Sequence, residues 1–445
     1  MILERKLRSL ILNTIFHPRY ISVKKSLVEL RRKFAGQAHV VSVFLQVDDP
    51  YSYILSQYLP QLAEQYDIEL RLYLSEARGN EYQPAPNLLA EYAVTDCARL
   101  ANDLGIPFLD KGSLPPSEHR VGLSDAMASL VTHDDFAAQL TRALAAYWRG
   151  DSAEAAHISD TPDAKGKARA VIKASQELQS KLGHYSSAML HYGGEWYWGV
   201  DRLHYLMHRL DDLGVARNES PNPKLASIRQ AMQFSLPVRP PAAAKQLPPI
   251  ELFFSLRSPY SYLALQRSYD IADAFGLKLI LRPVMPMVMR GMKVPRLKLL
   301  YIVLDTVREA RRLNIPFGKI ADPVGPGVER FMAVLQYAET QHRARDYLLN
   351  AATAIWSEAT DLATDKGMRK VTGRTGLFWP DVEEAMKNAD WQKALEVNRE
   401  SMMDSGSWGV PTLRMGDFWV WGQDRDWMLV RHIEDLCDTG DGIIV

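Results

Sequence analysis

The chain has 445 residues, 47% hydrophobic and 24% charged, with 53 Lys plus Arg against 53 Asp plus Glu. That length exceeds one core and suits two or three domains, and a net charge of zero argues against nucleic-acid binding by bulk electrostatics. No apolar run reaches the roughly 20 residues of a membrane-spanning helix, and Cys97 and Cys437 form no CxxC, which disfavours a disulfide framework, a cysteine zinc site and thiol–disulfide exchange and leaves the cytoplasm as the expected compartment.

Residues 1–36 read as a basic helical arm. Residues 1–34 hold nine Lys or Arg and two Glu, and Ile2, Leu3, Leu7, Leu10 and Ile11 fall at helical spacing. The segment lacks the apolar core and cleavage site of a signal peptide. Such an arm either packs over a domain or meets a membrane surface or a partner.

A first domain is expected over 37–215. It opens with a strand at Val40–Leu45, a turn, a helix started by Pro50 and a second strand at Ile68–Leu74. A helical middle leads to two short strands around Gly193-Gly194 and a last helix. Residues 216–249 are rich in proline, which no helix interior or central strand tolerates, so an extended linker is expected.

A second domain is expected over 250–445, with strands at Ile250–Phe254 and Leu277–Leu281 around a helix started by Pro259. Helical periodicity follows over 297–313, 328–349, 351–362 and 381–403. Pro411–Met415 and Phe418–Trp421 then form a hairpin about Gly416-Asp417, and Asp424 is expected to start the last helix. Strand, helix, strand, helical insertion, hairpin and helix give an α/β fold, a mixed sheet with helices on both faces.

The two domains read as tandem copies. Asp49-Pro50-Tyr51-Ser52-Tyr53 and Ser258-Pro259-Tyr260-Ser261-Tyr262 lie 209 positions apart. The same offset relates Tyr92, Asp96 and Arg99 to Tyr301, Asp305 and Arg308, and Ile106-Pro107-Phe108 to Ile315-Pro316-Phe317. The three polar residues share one helix face, and their presence in both copies favours a structural network. The first copy is expected to pack on the second as a second subunit would.

Ser258 suits a helix N-cap, with Pro259 at the first helical position. It also suits a second role. A helix N-terminus stabilises a thiolate, and a serine hydroxyl adds one donor without a competing charge. No cysteine is present there, so the thiol would come from a ligand. Asp49 caps equally well but would repel a thiolate. Val410-Pro411 just before a strand suits either an ordinary strand start or a cis bond whose neighbouring backbone pairs with a peptide-like ligand. The aligned position in the first copy is Ala188, where a cis bond is improbable. Asp424, followed by Arg425, reads as a cap with an ion pair or as a carboxylate for an α-amino group. The basic stretch Arg290–Lys298 reads as a solvated loop or as a cleft wall facing a carboxylate.

Taken together, Phe253–Ala264, Tyr301–Phe317, Ala354-Ile355-Trp356 with Asp361, Gly409-Val410-Pro411-Thr412 and Trp421–Arg425 resemble the 2-hydroxychromene-2-carboxylate isomerases and kappa-class glutathione transferases of the DsbA-like thioredoxin superfamily. The first copy is a weaker match. The resemblance implies two tandem thioredoxin-like domains, each with a helical insertion, and glutathione as cofactor. It implies that Ser258 holds the sulfur, Val410 and Pro411 pair with the glutathione backbone, and Asp424 takes the γ-glutamyl end. The family's asparagine-bearing segment after the second strand has no evident counterpart around Gly291-Met292-Lys293-Val294. A small electrophilic substrate is expected, turned over by isomerisation or transfer. The alternative is a non-catalytic binding or scaffold protein that uses the same domains.

Overall fold

The structure is a computed structural model that describes residues 9, 13–79, 81–111, 114–160, 166–218 and 220–439. The chain forms two compact units. One runs from Lys24 to Gln233, and the other takes Phe234 onward together with the segment up to Val23. Among the described residues no helix is long and apolar enough to cross a membrane.

Each unit is built on a four-stranded mixed sheet. In the first, β1 (Val40–Leu45), β2 (Glu69–Leu74), β3 (Met189–Tyr192) and β4 (Glu195–Trp198) lie in the order β2-β1-β3-β4. In the second, β5 (Ile250–Phe254), β6 (Leu279–Pro283), β7 (Thr412–Met415) and β8 (Phe418–Trp421) lie in the order β6-β5-β7-β8. The registers correspond as well. Val41 pairs with Leu70 and Ser42 with His191, as Ile250 pairs with Leu279 and Glu251 with Arg414.

A parallel pair requires a crossover. The helices Pro50–Ser56 and Leu59–Gln65 supply it in the first unit, and Pro259–Phe275 in the second. Central strands covered on both faces are apolar along their length. Accordingly Val41, Val43, Phe44, Leu45, Leu252, Phe253 and Phe254 are at most 1% exposed. The two hairpins close through two-residue turns, Gly193-Gly194 and Gly416-Asp417, with positive φ at all three glycines.

Several elements depart from the sequence expectation. Strand β6 starts two residues later than expected, and runs on through Pro283. The expected helix over 328–349 is two helices, Pro326–Thr340 and Ala344–Ser357, separated at His342, whose φ is 56°. The second of these absorbs the start of the run expected at 351–362. Residues 381–403 likewise divide into Trp379–Ala385 and Trp391–Asp404. Apolar periodicity carries through breaks this short, so it does not register them.

The segment 216–249 is not extended throughout. It holds a helix, Pro223–Ala231, and a 3₁₀ turn, Ala242–Gln246. Pro223 opens that helix rather than breaking it, because the first helical N–H needs no partner, and Asn222 caps it by accepting from Lys224 N–H at 3.0 Å. Leu225 and Ile228 are buried, which explains why the helix forms among so many prolines.

One polar cluster ties the second sheet across three strands. Glu251 on β5 accepts from Arg282 Nε of β6 at 2.8 Å and from Arg414 Nε of β7 at 2.6 Å. Burial opposes the charge, but the two guanidiniums outweigh it and hold the Glu251 carboxyl below its usual range.

Candidate site at the start of the Pro259 helix

Ser258 occupies the turn between β5 and the Pro259–Phe275 helix. Its φ of −87° and ψ of 116° are those of an N-cap, and its Oγ accepts from the Ser261 N–H at 3.1 Å. The same Oγ lies 3.5 Å from the Val410 carbonyl oxygen, across 152 positions of sequence. Ser258 and Val410 are therefore brought together. The Val410–Pro411 bond is cis, Pro411 is buried and Val410 half-buried.

The corner that carries Val410 is held from several sides. Thr412 Oγ1 donates to Gly409 O at 2.8 Å and shares a hydrogen bond with Ser407 Oγ at 2.7 Å. A Cβ on Gly409 would stand 2.6 Å from Trp421 Nε1, so only glycine allows the corner to lie against β8. Trp408 packs on the same indole at a ring separation of 4.8 Å.

Asp424 sits in the turn after β8 and is half-buried. The last helix begins at Asp426, two residues later than expected. Asp426 takes the role foreseen for Asp424: its Oδ1 accepts from the Trp427 N–H at 3.0 Å, and its other oxygen pairs with Arg267. Burial pushes the Asp426 carboxyl up, opposed by Arg267. The Asp424 carbonyl accepts from Trp427 Nε1 at 3.1 Å, which fixes the turn. In the basic stretch, Lys298 stands in the first turn of the Arg296–Arg312 helix, and burial pulls its pKa down to about 8. Burial also lowers Arg290, with Arg399 nearby adding to the effect.

The turn before Ser258 is braced by contacts that the sequence did not reveal. The Ser255 N–H donates to Ser261 Oγ at 3.3 Å, and Trp356 Nε1 donates to Leu256 O at 3.2 Å. Arg257 is held by Asp322 through two parallel bonds of 2.8 and 2.9 Å. The loop that carries Asp322 is itself fixed, with Ala321 N–H donating to Ile355 O at 2.8 Å. The amino-terminal segment reaches the same loop. Asn13 Oδ1 accepts from Ile320 N–H at 2.6 Å, and Ser9 Oγ donates to Ile320 O at 2.5 Å. Removing the Asp322 carboxylate by Asp322→Ala strands Arg257 in a mostly shielded place, so a loss of about 1–2 kcal/mol in urea unfolding is expected. A change within a few tenths would show that the pair contributes nothing.

The first unit repeats this frame with three exchanges. Trp148 Nε1 donates to Val47 O at 2.8 Å, and the Gln46 N–H to Ser52 Oγ at 3.1 Å. Tyr51 OH donates to Asp96 at 2.8 Å, as Tyr260 OH donates to Asp305 at 2.8 Å. Tyr260 of the turn motif thus reaches the buried carboxylate on the neighbouring helix, in keeping with a structural network. At the cap, however, stands Asp49, which accepts from Tyr51 N–H at 3.2 Å and from Ser52 Oγ at 2.7 Å. The position before it is also reversed in charge: Asp48, paired with Arg120, where the second unit has Arg257. Ala188, opposite Pro411, has φ of 54° and no cis bond.

Burial pushes the Asp49 carboxyl up to about 6, against hydrogen bonds from Ser52, Ser187 and Tyr51. Because folding raises this pKa, the first unit gains from the proton. That gain is full below the usual carboxylate value and is lost as the pH rises through about 6. Asp49→Asn keeps an acceptor at the cap without the charge. Thermal melts are expected to show it more stable than the parent by about 1–3 kcal/mol near pH 7.5 and level with it near pH 4. An equal effect at both pH values would contradict the assignment.

Comparison with known proteins places the second unit in a family context. Residues 249–434 match the family model of the DSBA-like thioredoxin domain. The 2-hydroxychromene-2-carboxylate isomerase of Pseudomonas putida is 27% identical over 202 residues, covering 42% of this chain and 95% of the relative. The enzyme of the same name from Sphingobium xenophagum is 24% identical over 196 residues, covering 42% and 98%. A solved 2-hydroxychromene-2-carboxylate isomerase structure aligns at 23% identity and a TM-score of 0.38, covering 44% of this chain and 99% of that one. The carboxy-terminal half of the chain is therefore a DSBA-like thioredoxin domain with 2-hydroxychromene-2-carboxylate isomerases among its relatives.

Proposed function

We propose that the second unit is a glutathione-dependent isomerase or transferase with one active site, and that the first is a diverged tandem copy without one. The observation that carries this reading is the meeting of Ser258 Oγ and the Val410 carbonyl at the start of the Pro259 helix. Glutathione would supply a thiolate that adds to an electron-poor double bond; departure of the sulfur after C–C rotation makes an isomerase, and retention makes a kappa-class-like transferase.

The residues fit such a ligand. Ser258 presents a neutral hydroxyl at a helix N-terminus, where partial positive charge favours an anion. In this role its O–H turns from the Val410 carbonyl toward the sulfur and donates to it. The backbone of Val410, in the bend before β7, would pair with the peptide-like glutathione chain. Asp424 takes the α-amino group of the γ-glutamyl end. The basic stretch Arg290–Lys298 would supply a cation for a ligand carboxylate. Asp49 fits the opposite way: its carboxylate already accepts from the donors at its own helix start. The setting is cytoplasmic, where glutathione is abundant and reduced.

The test is calorimetric titration of the full chain with glutathione. One site per chain, weakened in Asp424→Asn, supports the proposal. No heat at millimolar glutathione would favour the alternative, a pair of non-catalytic binding domains, for which the capped and occupied start of the Pro50 helix is the specific precedent.

A further inference from the structure

The helix Pro18–Phe34 carries its apolar residues on the wrong side for packing. Tyr20, Val23, Leu27, Leu30 and Phe34 are between 49% and 89% exposed. They follow a 3-4-3-4 spacing, which aligns them in one stripe on a helix that turns about 100° per residue. The half-buried residues Ile21, Lys25, Val28, Glu29 and Arg32 lie roughly opposite. There Lys25 Nζ pairs with Glu195 at 2.9 Å, and Arg32 Nη2 pairs with Glu29 at 2.5 Å. Both inner cations are thus neutralised, and the helix's single acidic residue is used inward.

The flanks of the outer stripe are basic on both sides. Arg19 and Lys33 border one edge, Lys24 and Arg31 the other, and among the described residues these four form no ion pair. The chain as a whole has no net charge, so this is a local feature. Its sign decides the occupant. If a second copy covered the stripe, the spacing is that of a coiled-coil seam, and either orientation would set Lys and Arg of one helix against Lys and Arg of the other. A planar anionic surface instead meets both flanks at once. The two ends of the stripe are aromatic, Tyr20 and Phe34, a residue type that favours the boundary between water and lipid.

We propose that the Pro18–Phe34 helix docks on an anionic lipid bilayer surface. The apolar stripe enters the headgroup boundary, and Arg19, Lys24, Arg31 and Lys33 lie over the phosphates. The proposal does not depend on the glutathione site.

The test is co-sedimentation of the full chain with vesicles of phosphatidylcholine alone and of phosphatidylcholine with phosphatidylserine. Binding is expected only with phosphatidylserine, and it should fall with added salt and by roughly five-fold for each cation removed. Lys24→Gln with Arg31→Gln changes exposed positions only and should fold as the parent does. Leu27→Glu with Leu30→Glu should abolish binding. Absence of binding by the parent, or equal binding to both vesicle types, would overturn the proposal. So would a parent that runs as a dimer in solution and becomes monomeric in the Leu27→Glu, Leu30→Glu variant, since the stripe would then belong to a second copy. Retention by an acidic protein with no vesicle binding would overturn it equally.

Discussion

Replacing Ser258 by alanine is expected to lower turnover with glutathione and an electrophilic acceptor by about 10²–10³-fold while leaving the fold in place. Under the proposed mechanism the hydroxyl is a preorganised donor to a thiolate, and losing one such donor has that order of effect on rate. The structural cost is separate and small. The Ser261 N–H loses its acceptor and the Val410 carbonyl a long contact of 3.5 Å, and a lost cap costs about 1 kcal/mol. The two effects can be separated by Ser258→Asp, which reproduces the residue of the first unit. Aspartate caps as well as serine, so any loss of stability should be the cost of its charge alone, as at Asp49, and should vanish near pH 4, while that charge repels the sulfur and activity near neutral pH should fall at least as far as in Ser258→Ala. Steady-state kinetics beside urea unfolding checks both. Full activity in Ser258→Asp would contradict the proposed role.

Replacing Glu251 by alanine is expected to destabilise the second unit by about 2–4 kcal/mol. The side chain of Glu251 is 13% exposed and that of Arg414 16%, so its removal strands a shielded guanidinium on β7 and a half-shielded one, Arg282, on β6. The loss has a defined pH dependence. Folding lowers the Glu251 pKa from 4.5, so its contribution is present above that value and disappears as the pH falls through the lower folded value. Urea midpoints of parent and variant should therefore differ at pH 7 and converge at strongly acid pH. A gap that persists there would assign the loss to packing instead.

Local chemistry was legible in the sequence. The spans of β1, β5 and β8, the turns at Gly193-Gly194 and Gly416-Asp417, and the capping of the Pro50 and Pro259 helices all follow from residues a few positions apart. Each is decided by a backbone preference or by one short side chain. What escaped is carried by long-range pairs. Arg257 meets Asp322 across 65 positions, Trp356 meets Leu256 across 100, Arg414 meets Glu251 across 163, and Ile320 meets Asn13 across 307. An isolated Asp or Asn in a loop carries no mark of its partner, because the pairing exists only once the sheet and helices have set the distance. The same limit explains Asp424. Two aspartates two residues apart are equally good helix starters, and only the pairing with the half-buried Arg267 selects Asp426.

Under the proposed function the second unit holds a thiolate at Ser258. The ultraviolet absorbance of the thiolate of bound glutathione, followed against pH on the parent and on Ser258→Ala, tests it most directly. The expected result is a bound thiol that ionises near or below neutral pH in the parent, against about 8.5 for a free thiol, and returns toward that value in the variant. A bound thiol that ionises at the free value in both proteins would contradict the claim.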